Sequence, residues 1–198
     1  MTVHSPILSR RAILTGTAGL VIGLCLPGRA GAQSGAAQAF RPAVGVAPFA
    51  PNAFVRVAAD DTVTVLIKHI EFGQGPFTGL STLVAEELDA DWSQMRAEHA
   101  PSDPELYKNL LFGMQGTGGS SAIANSFEQM RQAGATARAM LVRAAADAWG
   151  VPPAEVTVER GVLRHAASGR EGRFGQFAEA ASRLPVPENV PLKDAAAF

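Results

Sequence analysis

The stretch TVTVLIKHIEFGQGPFTGL, residues 62–80, joins a β-branched run to a glycine-rich turn and the start of a helical pattern. Residues 62–67 have the composition of a strand. Gly73 and Gly75 mark the turn, and Pro76 suits the first turn of a helix. The apolar residues that follow at helical spacing are Phe77, Leu80, Leu83, Val84 and Leu88. The stretch predicts a strand–loop–helix unit whose loop directs free backbone N–H groups at an anionic ligand.

A second glycine-rich segment, QGTGGSS at residues 115–121, also precedes a helical pattern. A helix is predicted from about Ser121 to Trp149, ended by Gly150. Its apolar face is predicted to contain Ile123, Phe127, Met130, Ala137, Met140, Leu141, Ala145 and Trp149. Two such segments in one short chain predict a shared site for a large phosphate-bearing cofactor.

The remaining patterns complete an α+β prediction. Residues 54–57 and 62–67 form one hairpin candidate, and residues 155–158 and 161–165 form another. The other predicted features are a short strand at 95–99, an irregular loop at 100–116, a turn at 168–172 and a helix at 174–184. The order ββαβ–α–ββα favours mixed sheets with packed helices over a doubly wound sheet.

The N-terminus has the layout of a twin-arginine signal peptide. Arg10 and Arg11 precede an uncharged run over residues 12–26, and Ala30-Gly31-Ala32 is a small-residue cleavage signal, so we expect cleavage after Ala32. The alternative is a chance arginine pair before a buried helix. The twin-arginine route exports folded proteins, often with a cofactor already bound, and it predicts a periplasmic location.

Composition narrows the classes of function. Apolar residues make up 47% of the chain, enough for a core, and the net charge of −1 with no basic stripe argues against nucleic acid as a partner. The single cysteine, Cys25, lies in the predicted signal. The mature chain would therefore hold no disulfide and no cysteine-ligated iron–sulfur cluster, so electrons from any redox reaction must leave through another chain.

Four segments are predicted: a signal peptide at 1–32, a linker at 33–51, a cofactor-binding domain at 52–184, and a linker-like tail at 185–198. Because nothing in the tail closes a sheet or caps a domain, we expect the chain to be the first part of a longer polypeptide.

Each candidate site residue also has an ordinary structural interpretation. Gly73-Gln74-Gly75 could be a turn and helix cap with Gln74 in solvent, and Ser120 or Ser121 could be a helix N-cap. His69 and Glu71 would share one face of a strand, as a metal or acid–base pair does, but no third ligand is evident. We therefore favour supporting or solvent roles for Lys68 and His69, and structural roles for His99 and His165.

These residues resemble a known family. Residues 71–75, EFGQG, resemble the Glu-Met-Gly-Gln-Gly segment of the xanthine dehydrogenase/aldehyde oxidase family of molybdenum hydroxylases, with Phe72 in place of the usual methionine. Residues 116–121 and the following helix resemble that family's second pterin-binding segment. The signal, residues 85–89 and residues 98–101 are similar to the branch that contains the large (beta) subunits of isoquinoline 1-oxidoreductase and of periplasmic aldehyde dehydrogenases.

The resemblance implies a molybdenum held by molybdopterin, commonly in its cytosine dinucleotide form. It implies that Phe72, Gly73 and Gln74 hold the pterin and its dithiolene side. The residues implied to hold the pterin and phosphate through N–H groups and hydroxyls are Thr117, Gly118, Gly119, Ser120, Ser121 and Ala122. No residue of this chain is implied to bind the metal directly.

The resemblance also implies hydroxylation of an aldehyde or N-heterocycle with water-derived oxygen. Electrons would pass to a small subunit with two 2Fe-2S clusters, and a membrane-bound cytochrome c is a further expected partner. The family's general-base glutamate lies far downstream, and neither Glu71 nor Glu86 takes that role, so no catalytic residue is assigned and the chain's own status as an enzyme stays open. We expect an N-terminal part of the large subunit, from a truncated frame or a split gene, that is inactive without its C-terminal part.

A different class of function remains open from the residues alone. The chain could be a non-catalytic exported α+β module whose glycine-rich loops bind another anionic ligand or a partner protein.

The export signal predicts the effect of a double substitution. Replacing Arg10 and Arg11 by lysine keeps the charge but removes both guanidinium groups, so we expect the protein to stay in the cytoplasm with residues 1–32 attached. Cell fractionation with mass spectrometry of the N-terminus measures this outcome. Arg41→Lys, beyond the expected cut, is the matched control and should leave export unchanged; export of the double variant would contradict the signal.

Overall fold

The computed structural model describes residues 54–198, which fall within one compact unit, Arg41–Phe198. The predicted signal and linker lie outside the described residues. The strands are β1 (Val55–Val57), β2 (Val63–Ile67), β3 (Met95–His99), β4 (Val156–Glu159), β5 (Val162–His165) and β6 (Arg170–Arg173). The helices are α1 (Pro76–Leu88), α2 (Pro104–Tyr107), α3 (Phe127–Trp149) and α4 (Phe174–Ala181).

The first sheet has the order β1-β2-β3 and is mixed. β1 and β2 form the predicted antiparallel hairpin, with Val55 opposite Val65. β3 pairs parallel to β2, with Val63 opposite Met95, because α1 carries the chain back across the sheet. Every residue of β2 is buried, as expected of a central strand covered on both faces. The predicted hairpin of β1 and β2, the predicted strand at 95–99 and the predicted helix that begins near Pro76 are confirmed.

The long helix begins six residues later than predicted. α3 starts at Phe127, and residues 122–126 form turns instead of helix. Short polar side chains bind the backbone there: Asn125 Nδ2 donates to Ser121 O at 2.7 Å. Such local bonds compete with the helical ladder. The predicted end is confirmed, since Gly150 caps α3 with a positive φ of 66°.

The second sheet is an antiparallel β4-β5-β6 meander. The predicted second hairpin, formed by β4 and β5, is confirmed. The predicted turn at 168–172 is wrong from Arg170 onward, where the chain forms a strand. Arg170–Arg173 forms β6 because Arg164 on β5 pairs with Glu171 at 2.8 Å across the ladder. α4 then ends at Ala181, three residues before the predicted end at 184.

The core lies between the sheets and helices α1, α3 and α4. α1 and α3 approach each other closely at Gly134, where an added Cβ would lie 2.8 Å from Val84 O and 3.0 Å from Glu87 Cβ. Glu87 is buried and pairs with Arg131 on α3 at 2.6 Å. The predicted α+β class, with mixed strand directions and packed helices, is confirmed.

The tail at 185–198 contacts the helices through Lys193. Its backbone N–H donates to Glu87 Oε2 at 3.1 Å, and its ammonium donates to Asp89 Oδ1 at 2.5 Å. The Arg131 guanidinium lies 4.9 Å from the centroid of the Phe198 ring. Among residues 54–198, no helix is long and apolar enough to cross a bilayer.

The close approach at Gly134 predicts the sign of a substitution. At an open helical position, replacing glycine with alanine stabilises a protein by up to about 1 kcal/mol. Gly134→Ala should instead lower the free energy of unfolding by about 1–3 kcal/mol, because the new methyl group overlaps Val84 O. Chemical denaturation measures the change.

The control is Ala148→Gly on the exposed face of the same helix. It should cost about 1 kcal/mol from helix propensity alone. If Gly134→Ala raised the free energy of unfolding, α1 and α3 would be able to move apart without loss of stability, which would contradict the prediction.

Candidate functional site

The parallel strand pair places a cavity of about 440 Å³ at the carboxyl edge of the first sheet. Ligands of open sheets commonly bind at this edge. The lining residues are Ile67, Lys68, His69, Ile70, His99, Ala100, Ser102, Gln115, Gly116 and Thr117. None of these lining side chains is a carboxylate, so the cavity favours an anionic or neutral polar ligand.

The two glycine-rich segments meet beside this cavity. Ile70 N donates to Thr117 Oγ1 at 2.8 Å, so the loop that follows β2 contacts the second segment directly. Of the nine predicted cofactor-binding residues, Thr117 lines the cavity. The other eight lie outside its lining: Phe72, Gly73, Gln74, Gly118, Gly119, Ser120, Ser121 and Ala122. Their role in cofactor binding stays a prediction.

The backbone N–H groups at the start of α1 already bind an anion, and that anion is Glu71. Its Oε1 accepts from Gly73 N at 2.7 Å and from Gly75 N at 3.2 Å, and its Oε2 accepts from Phe77 N at 3.1 Å. These bonds, that of Phe77 foremost, hold the pKa of the Glu71 carboxyl below its usual range. The expectation that these N–H groups are free for an external anion is therefore wrong. A carboxylate two residues before the turn reaches them first and complements the helix dipole.

Gln74 is also engaged within its own loop. Its Oε1 accepts from Phe72 N at 2.8 Å, and its Nε2 donates to Ile70 O at 2.5 Å. The loop requires positive φ angles at Gly73 (104°) and Gly75 (88°), which only glycine adopts readily. The Gln74 amide thus fixes the loop by bonds to its backbone.

A buried asparagine organises the second segment. Asn109 is fully buried, and its Nδ2 donates to Gly116 O at 3.3 Å and to Ser121 Oγ at 3.0 Å. Ser121 Oγ donates in turn to Gly118 O at 2.7 Å. The N-cap of α3 is Ser126, without a side-chain capping bond, so the capping interpretation of Ser120 or Ser121 is wrong. Asn109 was missed because the loop at 100–116 has no periodic pattern.

The Phe112 ring covers the glycines of the second segment. A Cβ built on Gly118 or Gly119 would lie 3.8 or 3.7 Å from the ring. Phe112 is itself 44% exposed. Other large apolar side chains exposed on the two segments and on the loops around them are Ile70, Phe72, Leu110, Leu111, Met114 and Ile123. Exposed apolar surface of this extent marks an interaction site.

Lys68 and His69 are buried at the cavity, which agrees with the supporting role that we expected and excludes the solvent alternative. Lys68 Nζ donates to Gln129 Oε1 at 2.8 Å and to Lys108 O at 3.1 Å. His69 Nε2 lies 3.0 Å from Ser126 Oγ. Burial lowers the pKa of the Lys68 ammonium. Burial, followed by the adjacent Lys68 charge, lowers the pKa of His69, with the Gly116 backbone acting in the opposite direction.

The other two histidines within residues 54–198 differ in role. His165 is buried between Ser168 Oγ, 2.7 Å from Nδ1, and Glu155 Oε2, 2.9 Å from Nε2, which fits the predicted structural role. His99 is exposed, packs edge-on against Phe77 at 4.7 Å between ring centroids, and lines the cavity. The predicted purely structural role is therefore incomplete for His99.

Comparison with known proteins identifies the family of this chain. The model of the molybdopterin cofactor-binding domain matches residues 26–198, so the chain belongs to that family. Molybdopterin is thus the cofactor class of this family, and the resemblance noted in residues 71–75 and 116–121 is confirmed at the level of the family.

Individual relatives agree with this assignment. The chain is 37% identical to isoquinoline 1-oxidoreductase subunit beta of Brevundimonas diminuta, over 93% of this chain and 23% of that protein. It is 32% identical to the membrane-bound aldehyde dehydrogenase [pyrroloquinoline-quinone] of Gluconacetobacter polyoxogenes, over 95% of this chain and 24% of that protein. The chain therefore spans about a quarter of the length of these relatives.

A solved structure supports the fold. The Cu,Mo-CO dehydrogenase in its carbon monoxide reduced state matches 65% of this chain and 16% of its own chain with a TM-score of 0.51. At 19% sequence identity, this likeness bears on the fold alone.

The Glu71 contacts predict a pH-dependent loop. A group whose folded pKa is lowered stabilises the fold above its unfolded pKa, and this contribution is lost as the pH falls through the folded value. We therefore expect the amide resonances of Gly73, Gly75 and Phe77 to shift together at a pH below the ordinary glutamate range.

NMR titration of the amides measures this shift. Glu71→Gln should abolish it and speed hydrogen exchange at the three amides, whereas Glu128→Gln, at the exposed start of α3, should change neither. Unaltered amides in the Glu71 variant would refute the contact.

Proposed function

We propose that this chain is the N-terminal part of the molybdopterin-binding large subunit of a periplasmic molybdenum hydroxylase. The complete enzyme oxidises an aldehyde or an N-heterocycle with water-derived oxygen and passes electrons to an iron–sulfur subunit. The observation that carries the proposal is the junction of the two glycine-rich segments at Ile70 and Thr117, beside a cavity without carboxylates, in a chain of the molybdopterin-binding family.

The residues at this junction suit a pterin with a phosphate group. The Thr117 hydroxyl and the backbone of Gly116 line the cavity, and the glycines at 118 and 119 leave their backbone accessible except where Phe112 covers it. Phe72, 74% exposed, is available to pack against the pterin from the other segment. Bound molybdopterin supplies the molybdenum at which oxygen transfer and electron uptake occur. The chain's own residues hold and orient it.

Separate subunits would complete the enzyme. One relative is named as a subunit beta, and the only cysteine here, Cys25, lies in the predicted signal. The exposed apolar side chains around the two segments fit contacts with other parts of such a complex. We infer that 2Fe-2S clusters reside on a small partner subunit, that a membrane-bound cytochrome c accepts the electrons, and that this chain alone has no turnover.

Metal and nucleotide analysis of the exported complex tests the proposal. We expect molybdenum by mass spectrometry, and cytidine monophosphate after acid hydrolysis of the cofactor. A folded, exported complex without molybdenum would overturn the proposal in favour of a non-catalytic exported module that binds another anionic ligand or a partner.

A matched pair of variants locates the cofactor. Thr117→Val removes the hydroxyl that joins the two segments at nearly constant volume, and should lower molybdenum occupancy about tenfold, the effect of one to two lost hydrogen bonds. Thr157→Val, at an exposed position of β4, should leave occupancy unchanged. Equal occupancy in both variants would exclude Thr117 from the site.

A further inference from the structure

Strand β3 is an outer strand of the first sheet within residues 54–198. Ala100 N donates to Ile67 O at 2.9 Å, which fixes the side of β3 that faces β2. Because backbone groups alternate between the two sides of a strand, the even-numbered residues of β3 face β2 and the odd-numbered residues face outward. The outward N–H and C=O groups therefore belong to Met95, Ala97 and His99.

These outward backbone groups are only partly engaged. Met95 N donates to Trp92 O, and Met95 O accepts from Arg96 Nη1 at 2.6 Å. In the described part of the chain, no hydrogen bond reaches the outward groups of Ala97 or His99. An unpaired strand edge of this kind is a template for another extended segment.

A cavity of about 130 Å³ opens beside the same edge, between β3 and α1. Phe77 and Ser81 of α1 and Met95 and Ala97 of β3 are among its lining residues. Side chains of a strand paired with β3 would alternate between the two faces of the sheet. Every second one would point towards α1 and this cavity.

Ser81 presents an unpaired hydroxyl to the cavity. Its side chain is buried, with 3% of the residue exposed, and its Oγ has no hydrogen-bond partner among residues 54–198. A serine within a helix can bond to a carbonyl of the preceding turn, but Ser81 does not. Since buried polar groups are nearly always hydrogen-bonded, this hydroxyl points to an incoming side chain that carries a polar atom.

The rim of the cavity has the character of a protein interface. Trp92 lines the cavity and is 53% exposed, and exposed tryptophans are enriched where protein partners bind. On the opposite face of β3, Arg96 and Glu98 are exposed. The edge thus fits an extended peptide whose side chains alternate between one that enters the cavity and one that meets these charges.

We propose that the edge of β3 binds an extended segment from the part of the large subunit that this chain lacks. The segment pairs with Ala97 and His99 and places a hydroxyl- or amide-bearing side chain against Ser81 Oγ. The chain spans about a quarter of the length of its relatives, so the same subunit has ample polypeptide to supply the strand, and tethering within one subunit favours the pairing. The inference rests on the proposed function for the origin of the strand.

Amide hydrogen exchange of the full 198-residue chain tests whether the edge is free. By NMR, the amides of Ala97 and His99 should exchange at least tenfold faster than those of Arg96 and Glu98, which face β2. In the purified complex, exchange mass spectrometry over residues 95–100 should show all of these amides protected. Rapid exchange of Ala97 and His99 in the complex would overturn the proposal.

Proline substitutions test the direction of the backbone groups. Ala97→Pro removes an outward N–H, which an edge strand tolerates, so the chain should still fold while the yield of assembled complex falls at least tenfold. Glu98→Pro is the matched control. It removes an N–H that faces β2 and should unfold the chain itself. Normal assembly of the Ala97 variant would contradict strand addition.

Ser81→Ala tests the cavity without altering the backbone. The substitution removes a hydroxyl that makes no hydrogen bond in the chain, so the stability of the chain should not fall. The yield of assembled complex should fall a few-fold, because the incoming polar side chain loses its partner. Thr82→Val, at an exposed position of the same helix outside the cavity lining, should change neither quantity. Equal yields for the two variants would exclude Ser81 from the interface.

Photo-cross-linking identifies the segment that pairs with β3. Trp92→p-benzoylphenylalanine should cross-link to a large-subunit peptide outside residues 1–198. A cross-link to a second copy of this chain or to a small subunit would overturn the assignment of the strand. A molybdenum-loaded complex with a free β3 edge would reject the strand and keep the proposed function. An assembly without molybdenum that gives the expected cross-link and protected amides would keep the strand and reject the enzyme.

Discussion

The parallel pairing of β2 and β3 is the constraint on which the site depends. The two strands run in register from Val63 opposite Met95 to Ile67 opposite His99. Their carboxyl ends therefore open at the same edge, where Ala100 N continues the ladder to Ile67 O at 2.9 Å. Both the loop before α1 and the segment after β3 leave from this edge. If β3 paired in the opposite direction, the segment after it would leave from the other edge, away from the first glycine-rich segment.

The packing of α3 against α1, away from this sheet edge, stabilises the same arrangement of the site. α3 lies unusually close to α1 because Gly134 has no side chain to hold Val84 away. The first turns of α3 are thereby fixed over the ends of the strands, where Ser126 meets His69 and Gln129 meets Lys68. The polar groups beneath the cavity are thus held by the helix packing of the core, and a change at Gly134 should reach them without touching the cavity wall.

The sequence predicted five of the six strands of residues 54–198, the crossover helix and the association of the two glycine-rich segments, because periodicity and turn residues act locally. These predictions failed where side-chain hydrogen bonds determine the structure. The start of α3 was placed too early because Ser121 and Asn125 bind nearby backbone, and Asn109 has no pattern to reveal its links to Gly116 and Ser121. Burial of Lys68 was likewise unpredictable, since its partner oxygens on Lys108 and Gln129 lie far along the sequence.

The carboxylate of Glu71 has a consequence for the kinetics of ligand capture. With its amides already held by that internal carboxylate and by Gln74, the first glycine-rich loop is ordered before any ligand arrives. A ligand therefore meets a preorganised wall and loses little affinity to ordering of the backbone. The second segment is held by Asn109 but is covered by the half-exposed Phe112 ring. Ring displacement there, rather than loop folding on the Glu71 side, would set the rate at which the site fills.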